Sequence, residues 1–154
     1  MVIFQLLQRD LVNGHVSVNS KRQALQTLAE MAGRTLGFES QTIFNALMLR
    51  EKQGSTGVGH GVAVPHAVLD GLTKMTGLFI RLEAPIEYEA IDDVPVDLIF
   101  CLLAPIGAEN EHLRALARVS RTLRQKDLRE QLRLIDNSDA LYSLLTQHTA
   151  SNVA

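Results

Sequence analysis

The amino-acid sequence predicts an α/β fold, a single-domain sandwich in which a mixed central β-sheet is flanked by helices. Three features of the pattern carry that prediction. Residues 20–52 keep the apolar spacing of two successive helices, residues 62–103 hold apolar runs short enough for strands, and helical spacing returns after residue 110. A sheet built from the middle block has two faces to bury, and the helices before and after it are there to cover them. The 154 residues contain no internal repeat, low-complexity tract or linker, so residues 1–154 read as one domain large enough for a proper core.

Each element has its own local reason. His15-Val16-Ser17-Val18 has the character of a short strand. Ser20 and Gln23 then stand at capping-box spacing before Leu25, Leu28, Ala29, Ala32 and Leu36, and Gly37 stops that helix. Ser40 is placed to cap a second helix with Ile43, Phe44, Leu47 and Met48 inward, Arg50 and Glu51 in its last turn, and Gly54 at its end. A glycine-rich loop, Gly54–Gly61, follows, and Val62-Ala63-Val64 reads as a short buried strand ended by Pro65. Leu78–Leu82 alternates loosely, as a half-covered strand does. Val94–Asp97 leads into Leu98–Leu103, whose unbroken apolar run predicts a central strand covered on both faces, ended by Pro105 and Gly107. Asn110 is the expected cap of a helix through Leu113, Leu116, Ala117 and Leu123. Asp127 and Glu130 have the form of a second capping box, opening a short helix through Leu132. Asn137 or Ser138 starts a last helix with Leu141, Leu144 and Leu145, and the tail from Thr149 to Ala154 is expected to be loose.

Composition narrows the classes of function. Fifteen Lys and Arg against seventeen Asp and Glu leave a formal charge of −2, which argues against nucleic acid as the main partner. Arg114, Arg118, Arg121, Arg124, Lys126, Arg129 and Arg133 crowd together, but Asp127 and Glu130 interrupt them, and a solvated helix face is the simpler reading. Cys101 is the sole cysteine and lies inside the apolar run, so it predicts a buried, unreactive thiol. The N-terminus lacks a basic start and a long apolar core, and no run approaches the roughly 18–20 apolar residues of a membrane span. A cytoplasmic protein with no membrane insertion is expected.

The chemistry concentrates around residues 50–66. His66 directly follows the Val62–Pro65 stop, where a rigid scaffold meets solvent, and a neutral imidazole is a competent nucleophile near pH 7. Gly54, Gly57, Gly59 and Gly61, with the Ser55 and Thr56 hydroxyls, offer a backbone nest for an anion. The loop lacks the Gly-Lys-Ser/Thr ending of a nucleotide cradle. Loop and histidine together point to histidine chemistry on a phosphoryl group. His112, in the first turn of the helix after the central strand, reads by itself as an exposed helix-start residue, or as a second histidine at the positive end of the helix dipole that bonds a phosphoryl group held on His66. Arg50 leads into the same glycines and is either a phosphate clamp or an ordinary cation at a helix C-terminus, while Glu51 beside it is a potential partner of Arg50 or Lys52 with an open role. His60, His66 and His112 lack helical pairing and a cysteine cluster, which argues against a metal site.

These residues carry a resemblance. The run Arg50-Glu-Lys-Gln-Gly-Ser-Thr-Gly-Val-Gly-His-Gly-Val-Ala-Val-Pro-His66 is similar to the active-site signature of enzyme IIA domains of the fructose–mannitol class. Those domains belong to the bacterial phosphoenolpyruvate-dependent phosphotransferase system. The likeness continues through Pro95–Pro105 and Glu111-His112-Leu113 and extends from about Leu6 to Thr146. It implies that His66 accepts a phosphoryl group from a phosphohistidine of an HPr-like protein, with His112 and Arg50 supporting the phosphorylated state. It implies a mixed α/β sandwich and no cofactor, metal or nucleotide. The opening Arg-Glu-Lys-x-Gly-Ser-Thr-Gly is most like the nitrogen-type members, which implies regulation of nitrogen- and potassium-linked targets such as potassium transport or sensor kinase proteins. A sugar-transport enzyme IIA that passes its phosphate to a IIB domain is the alternative. His60 stands where the family more often has a small polar residue such as asparagine, and it implies a titratable group near the phosphate.

Overall fold

The computed structural model describes residues 3–151, with burial and side-chain surroundings described for residues 5–147. The elements run α1 (Ile3–Leu6), β1 (Leu7–Val16), α2 (Lys21–Leu36), α3 (Ser40–Lys52), β2 (Gly57–Gly59), β3 (Val62–Ala63), β4 (His66–Leu69), β5 (Thr76–Ile86), β6 (Val96–Pro105), α4 (Glu109–Leu123), α5 (Lys126–Leu134) and α6 (Ser138–Ser151). Six strands make one mixed sheet in the order β1-β5-β6-β3-β2, with β4 also paired to β6. β5 lies antiparallel to β6, whereas β3 and β4 lie parallel to it on the other side.

β6 is the covered central strand that its apolar run predicts. Successive side chains of a strand point to opposite faces. Ile99, Cys101 and Leu103 accordingly join Leu25, Leu28, Ile43 and Leu47 of α2 and α3 in one apolar core. Leu98, Phe100 and Leu102 join Val119, Leu123, Leu128, Leu132, Leu141 and Leu145 of α4, α5 and α6 in the other. The Cys101 thiol is fully buried, and burial pushes its pKa up, so it stays protonated.

Several local expectations hold and others shift. Ser20 Oγ accepts from the Gln23 N–H at 3.2 Å, and Gly37, at φ 80°, closes α2 with its N–H on the Gly33 carbonyl. Asn137 is the cap of α6, its Oδ1 accepting from the Ala140 N–H at 2.9 Å, and Ser138 instead accepts from the Gly14 N–H. Ser40 and Asn110 are not caps. They lie inside α3 and α4, whose cap positions are Glu39 and Ala108 with no side-chain bond. α5 likewise starts one residue before Asp127 without a capping box, and it runs to Leu134. The expected loose tail is helical through Ser151, and residues 152–154 lie outside the described residues. β1 is ten residues long and ends at Val16, where only His15–Val18 was expected. Its pairing with β5 slips twice, between Leu7 and Val12 and between Asn13 and Val16, so no regular alternation survives in the sequence to announce it.

The glycine segment is not an open loop. Gly57–Gly59 forms β2, antiparallel to β3, and His60-Gly61 makes the two-residue turn between them with φ 59° and 79°. Positive φ at both central positions is what a type I′ hairpin turn requires, and Asn-Gly is its preferred pair. Gly57 is demanded by packing, because a Cβ there would lie 2.6 Å from the Ala90 Cβ. Two members of the basic cluster depart from a solvated face. Arg133 holds the hairpin tip, its Nε donating to the Asp97 carboxylate at 3.0 Å and its Nη2 to the His60 carbonyl at 2.6 Å. Arg129 is buried and donates to the Leu123 and Arg124 carbonyls that end α4. Asparagine tolerates the left-handed conformation better than histidine does. His60→Asn is therefore expected to raise the free energy of unfolding by about 0.5–1 kcal/mol in urea titrations.

Candidate functional site

His66 is the first residue of β4, which begins where Pro65 interrupts the edge that β3 starts. Pro65 has no N–H to give, but its carbonyl accepts from the Leu102 N–H at 3.0 Å, and the strand resumes with His66 beside Leu102. His66 therefore follows the end of β3, as its sequence predicts, and also opens β4. The His66 ring stands half-buried, with Nδ1 3.0 Å from the Val64 carbonyl. A carbonyl only accepts, so Nδ1 carries the ring proton and Nε2 is left with its lone pair.

Two further side chains converge there. Arg50, in the last turn of α3, donates from Nε to His66 Nε2 at 3.1 Å and from Nη1 to the Gly54 carbonyl at 2.8 Å. His112, in the first turn of α4, meets His66 edge-to-face with ring centroids 5.4 Å apart. Among the described residues, His112 Nε2 is buried without a hydrogen-bond partner. Burial pulls the pKa of His66 below the ordinary histidine range; the Val64 bond opposes this, Arg50 adds to it, and Glu51 opposes it. Burial also lowers that of His112, with His66 as the second cause. Both rings are neutral at pH 7. The site thus combines an unprotonated ring nitrogen, a guanidinium and the positive end of a fifteen-residue helix.

The structure brings together Arg50, Gly54, His66 and His112, and it separates the rest of the glycine motif from them. The Ser55 hydroxyl donates to the Tyr88 carbonyl and accepts from the Gly57 N–H. Thr56 is buried, with its hydroxyl on Glu51. Gly57 and Gly59 belong to the β2 ladder, and Gly61 packs against Asp97 and Arg133. Val62 sits opposite Leu98 and His66 opposite Leu102, so Val62 is about 13 Å of strand away from His66 and the His60-Gly61 tip lies beyond it. The expected anion nest over the whole loop, and the expected titratable group near the phosphate at His60, are therefore corrected. The two-residue turn carries Gly59, His60 and Gly61 away from His66, whereas Thr56 stays beside Val64 with its hydroxyl turned to Glu51.

Glu51 pairs with neither Arg50 nor Lys52. It turns inward to Lys21 Nζ at 3.2 Å and to Thr56. Lys21 lies thirty residues upstream and Tyr88, which bonds Thr56, lies downstream, so no local spacing could have announced them. Exposed apolar residues also went unnoticed in the sequence. Leu49, Val68 and Leu113 are exposed, and each stands one or two residues from Arg50, His66 or His112. Among the described residues no three His, Cys, Asp or Glu side chains gather as a metal site, and no helix is long and apolar enough to cross a membrane.

With this geometry in hand, comparison with known proteins defines the class. Residues 5–148 match the family described as the phosphoenolpyruvate-dependent sugar phosphotransferase system, EIIA 2, and the chain belongs to that family. It is a IIA-type phosphotransfer component. The chain is 47% identical over 145 residues to a nitrogen regulatory protein of Bradyrhizobium diazoefficiens, covering 94% of this chain and 95% of that one. It is 39% identical over 142 residues to the nitrogen regulatory protein of Escherichia coli (strain K12), covering 92% and 87%. The crystal structure of the nitrogen regulatory protein IIA-Ntr from Neisseria meningitidis superposes with a TM-score of 0.88 at 35% identity, over 94% of this chain and 99% of that one. Arg50 both donates to the neutral ring and repels a proton on it. Arg50→Ala is expected to raise the His66 pKa, read by NMR titration of the ring.

Proposed function

We propose that His66 is a phosphocarrier residue, loaded at Nε2 from the phosphohistidine of an HPr-like protein. The observation that carries this reading is the pairing of a bare His66 Nε2 with Arg50 beside the partnerless, buried Nε2 of His112. The His66 lone pair forms the new N–P bond as the donor's N–P bond breaks. The donor ring, protonated on its other nitrogen, leaves as neutral imidazole, and His66 keeps its Nδ1 proton on the Val64 carbonyl. Arg50 gives up its bond to Nε2 as phosphorus arrives and takes phosphoryl oxygens in its place, and His112 Nε2 gains an oxygen partner. Catalysis here is positioning and electrostatic stabilisation, so the reaction needs no metal or cofactor. The exposed Leu49, Val68 and Leu113 supply apolar contact area around the reacting atoms for the incoming protein.

The output we propose is regulatory and cytoplasmic, with residues 1–154 acting as one domain. The likeness to nitrogen regulatory proteins over most of their length supports this reading. Phosphorylation adds roughly −1.5 to −2 charges beside an apolar surface, so a target that fits the bare site is repelled from the loaded one. Targets of the potassium-transport or sensor-kinase type are the expected readers. The alternative is a sugar-transport role, in which the phosphate passes to a IIB domain.

Incubation with phosphoenolpyruvate, enzyme I and an HPr-like protein should add one acid-labile phosphate by intact mass, and His66→Ala should abolish it. No added phosphate on the wild type ends the phosphocarrier reading. His112→Ala should still accept phosphate, with a rate lowered about tenfold or more. Because the His66 pKa is lowered, the neutral ring survives into mildly acidic solution. Uptake should fall off only below the ordinary histidine range, as the ring protonates. Rapid passage of the phosphate through a IIB protein to sugar would replace the regulatory reading with the transport one.

A further inference from the structure

Glu51 occupies an unfavourable place for a carboxylate. It lies in the last turn of α3, near the negative end of the helix, and it is only 7% exposed. Both adjacent cations, Arg50 and Lys52, are left unused by it. Its Oε1 instead accepts from Lys21 Nζ at 3.2 Å and from the Thr56 N–H at 2.8 Å, and its Oε2 accepts the Thr56 hydroxyl at 2.6 Å. Since the Thr56 hydroxyl proton is spent on Glu51, the Tyr88 hydroxyl, 3.0 Å away, donates to Thr56 Oγ1. Lys21 also lies over the Tyr88 ring at 4.8 Å. One carboxylate thereby ties the start of α2, the end of α3 and the Tyr88 segment to a single residue, Thr56.

What Thr56 holds is the support of His66. The Thr56 carbonyl accepts from the Val64 N–H at 2.9 Å, and the Val64 carbonyl accepts from His66 Nδ1 at 3.0 Å. Adjacent side chains on a helix point about 100° apart, so pinning Glu51 inward also sends Arg50 outward to His66 Nε2. We propose that Glu51 is a positioning residue for phosphoryl transfer, anchoring Thr56 so that Val64 and Arg50 together fix the His66 ring with Nε2 facing the donor. The charged or titratable groups facing His66 are Arg50 and Glu51 from α3 and His112 from α4. Glu51 acts on it through the backbone of Thr56 and Val64 rather than by contact. The kinetic part of the proposal rests on the phosphocarrier reading; the hold on the ring does not.

Two variants test it. Glu51→Gln keeps the shape and removes the charge, and Thr56→Val keeps the backbone N–H and removes the hydroxyl, so either serves if the other fails to fold. In each, exchange of the His66 Nδ1 proton with water, followed by NMR, is expected to quicken about tenfold, the factor for losing one ordinary hydrogen bond. Phosphoryl uptake should slow tenfold to a hundredfold, on the order expected for a displaced nucleophile, in kcat and not in KM for the donor, since both residues are buried. The double variant should slow uptake by less than the product of the two single effects, because both weaken the same Glu51–Thr56 tie. Unchanged Nδ1 exchange in both variants overturns the proposal, whatever the rates. A wild type that takes no phosphate overturns the phosphocarrier reading instead and leaves the exchange measurement to decide on Glu51.

Discussion

Everything in this molecule is placed relative to one strand with no free face and no free edge. β6 is buried at every position from Leu98 to Ala104, flanked by β5 on one side and by β3 and β4 on the other. Its two rows of side chains nucleate two separate cores, one under α2 and α3 and one under α4, α5 and α6. A strand so enclosed cannot slip, since a shift of one residue would exchange the two rows. That rigidity is inherited by the site. His66 is held in register beside Leu102, and α4 starts four residues after β6 ends, bringing His112 back to the same end of the sheet.

The interruption at Pro65 is the device that turns a structural ladder into a reactive position. Had β3 run on unbroken, the residue after Val64 would donate its own N–H to a ladder or to water. Proline withholds that donor while its carbonyl keeps the ladder with Leu102. Val64, just before the break, then has its carbonyl available to the His66 ring. Two consecutive residues thus divide the work. Val64 selects which ring nitrogen carries the proton, and Pro65 sets the bend that lets His66 reach back to it.

The fold was legible in the sequence where burial is regular, and the site was legible where function is local. The unbroken run Leu98–Leu103 announced β6 because a strand covered on both faces needs no polar alternation. Ser20 and Gly37 announced the ends of α2 because caps act within a few residues. β1 was half-hidden, since its two register slips erase the periodicity that a reader would look for. In the glycine segment, composition misled. Glycines suggested an open anion nest, whereas Gly57 meets a packing limit at Ala90 and Gly61 a turn. His66 could be named from the glycine segment and proline before it, whereas Arg50 and His112 took their roles from the family resemblance, since a helix-end arginine and a helix-start histidine are ordinary by themselves. The inward role of Glu51 could not, because its partners Lys21, Thr56 and Tyr88 come from segments joined only by the tertiary fold.

The site also resolves an electrostatic conflict. In the phosphocarrier role we propose, the burial that lowers the His66 pKa favours a neutral, nucleophilic ring but makes a phosphoryl group costly to hold there. A carboxylate touching the ring would raise its pKa and repel the phosphoryl group. Glu51 is therefore tolerable only because Lys21 and Thr56 absorb its charge on the side facing away. What His66 touches is positive or neutral: the Arg50 guanidinium and the His112 imidazole at the start of α4. Before transfer, Arg50 lowers the ring pKa and favours the lone pair; after transfer, the same charge would neutralise the product. In the phosphocarrier role we propose, one guanidinium on a rigid helix end serves both states because it already donates to the reacting nitrogen.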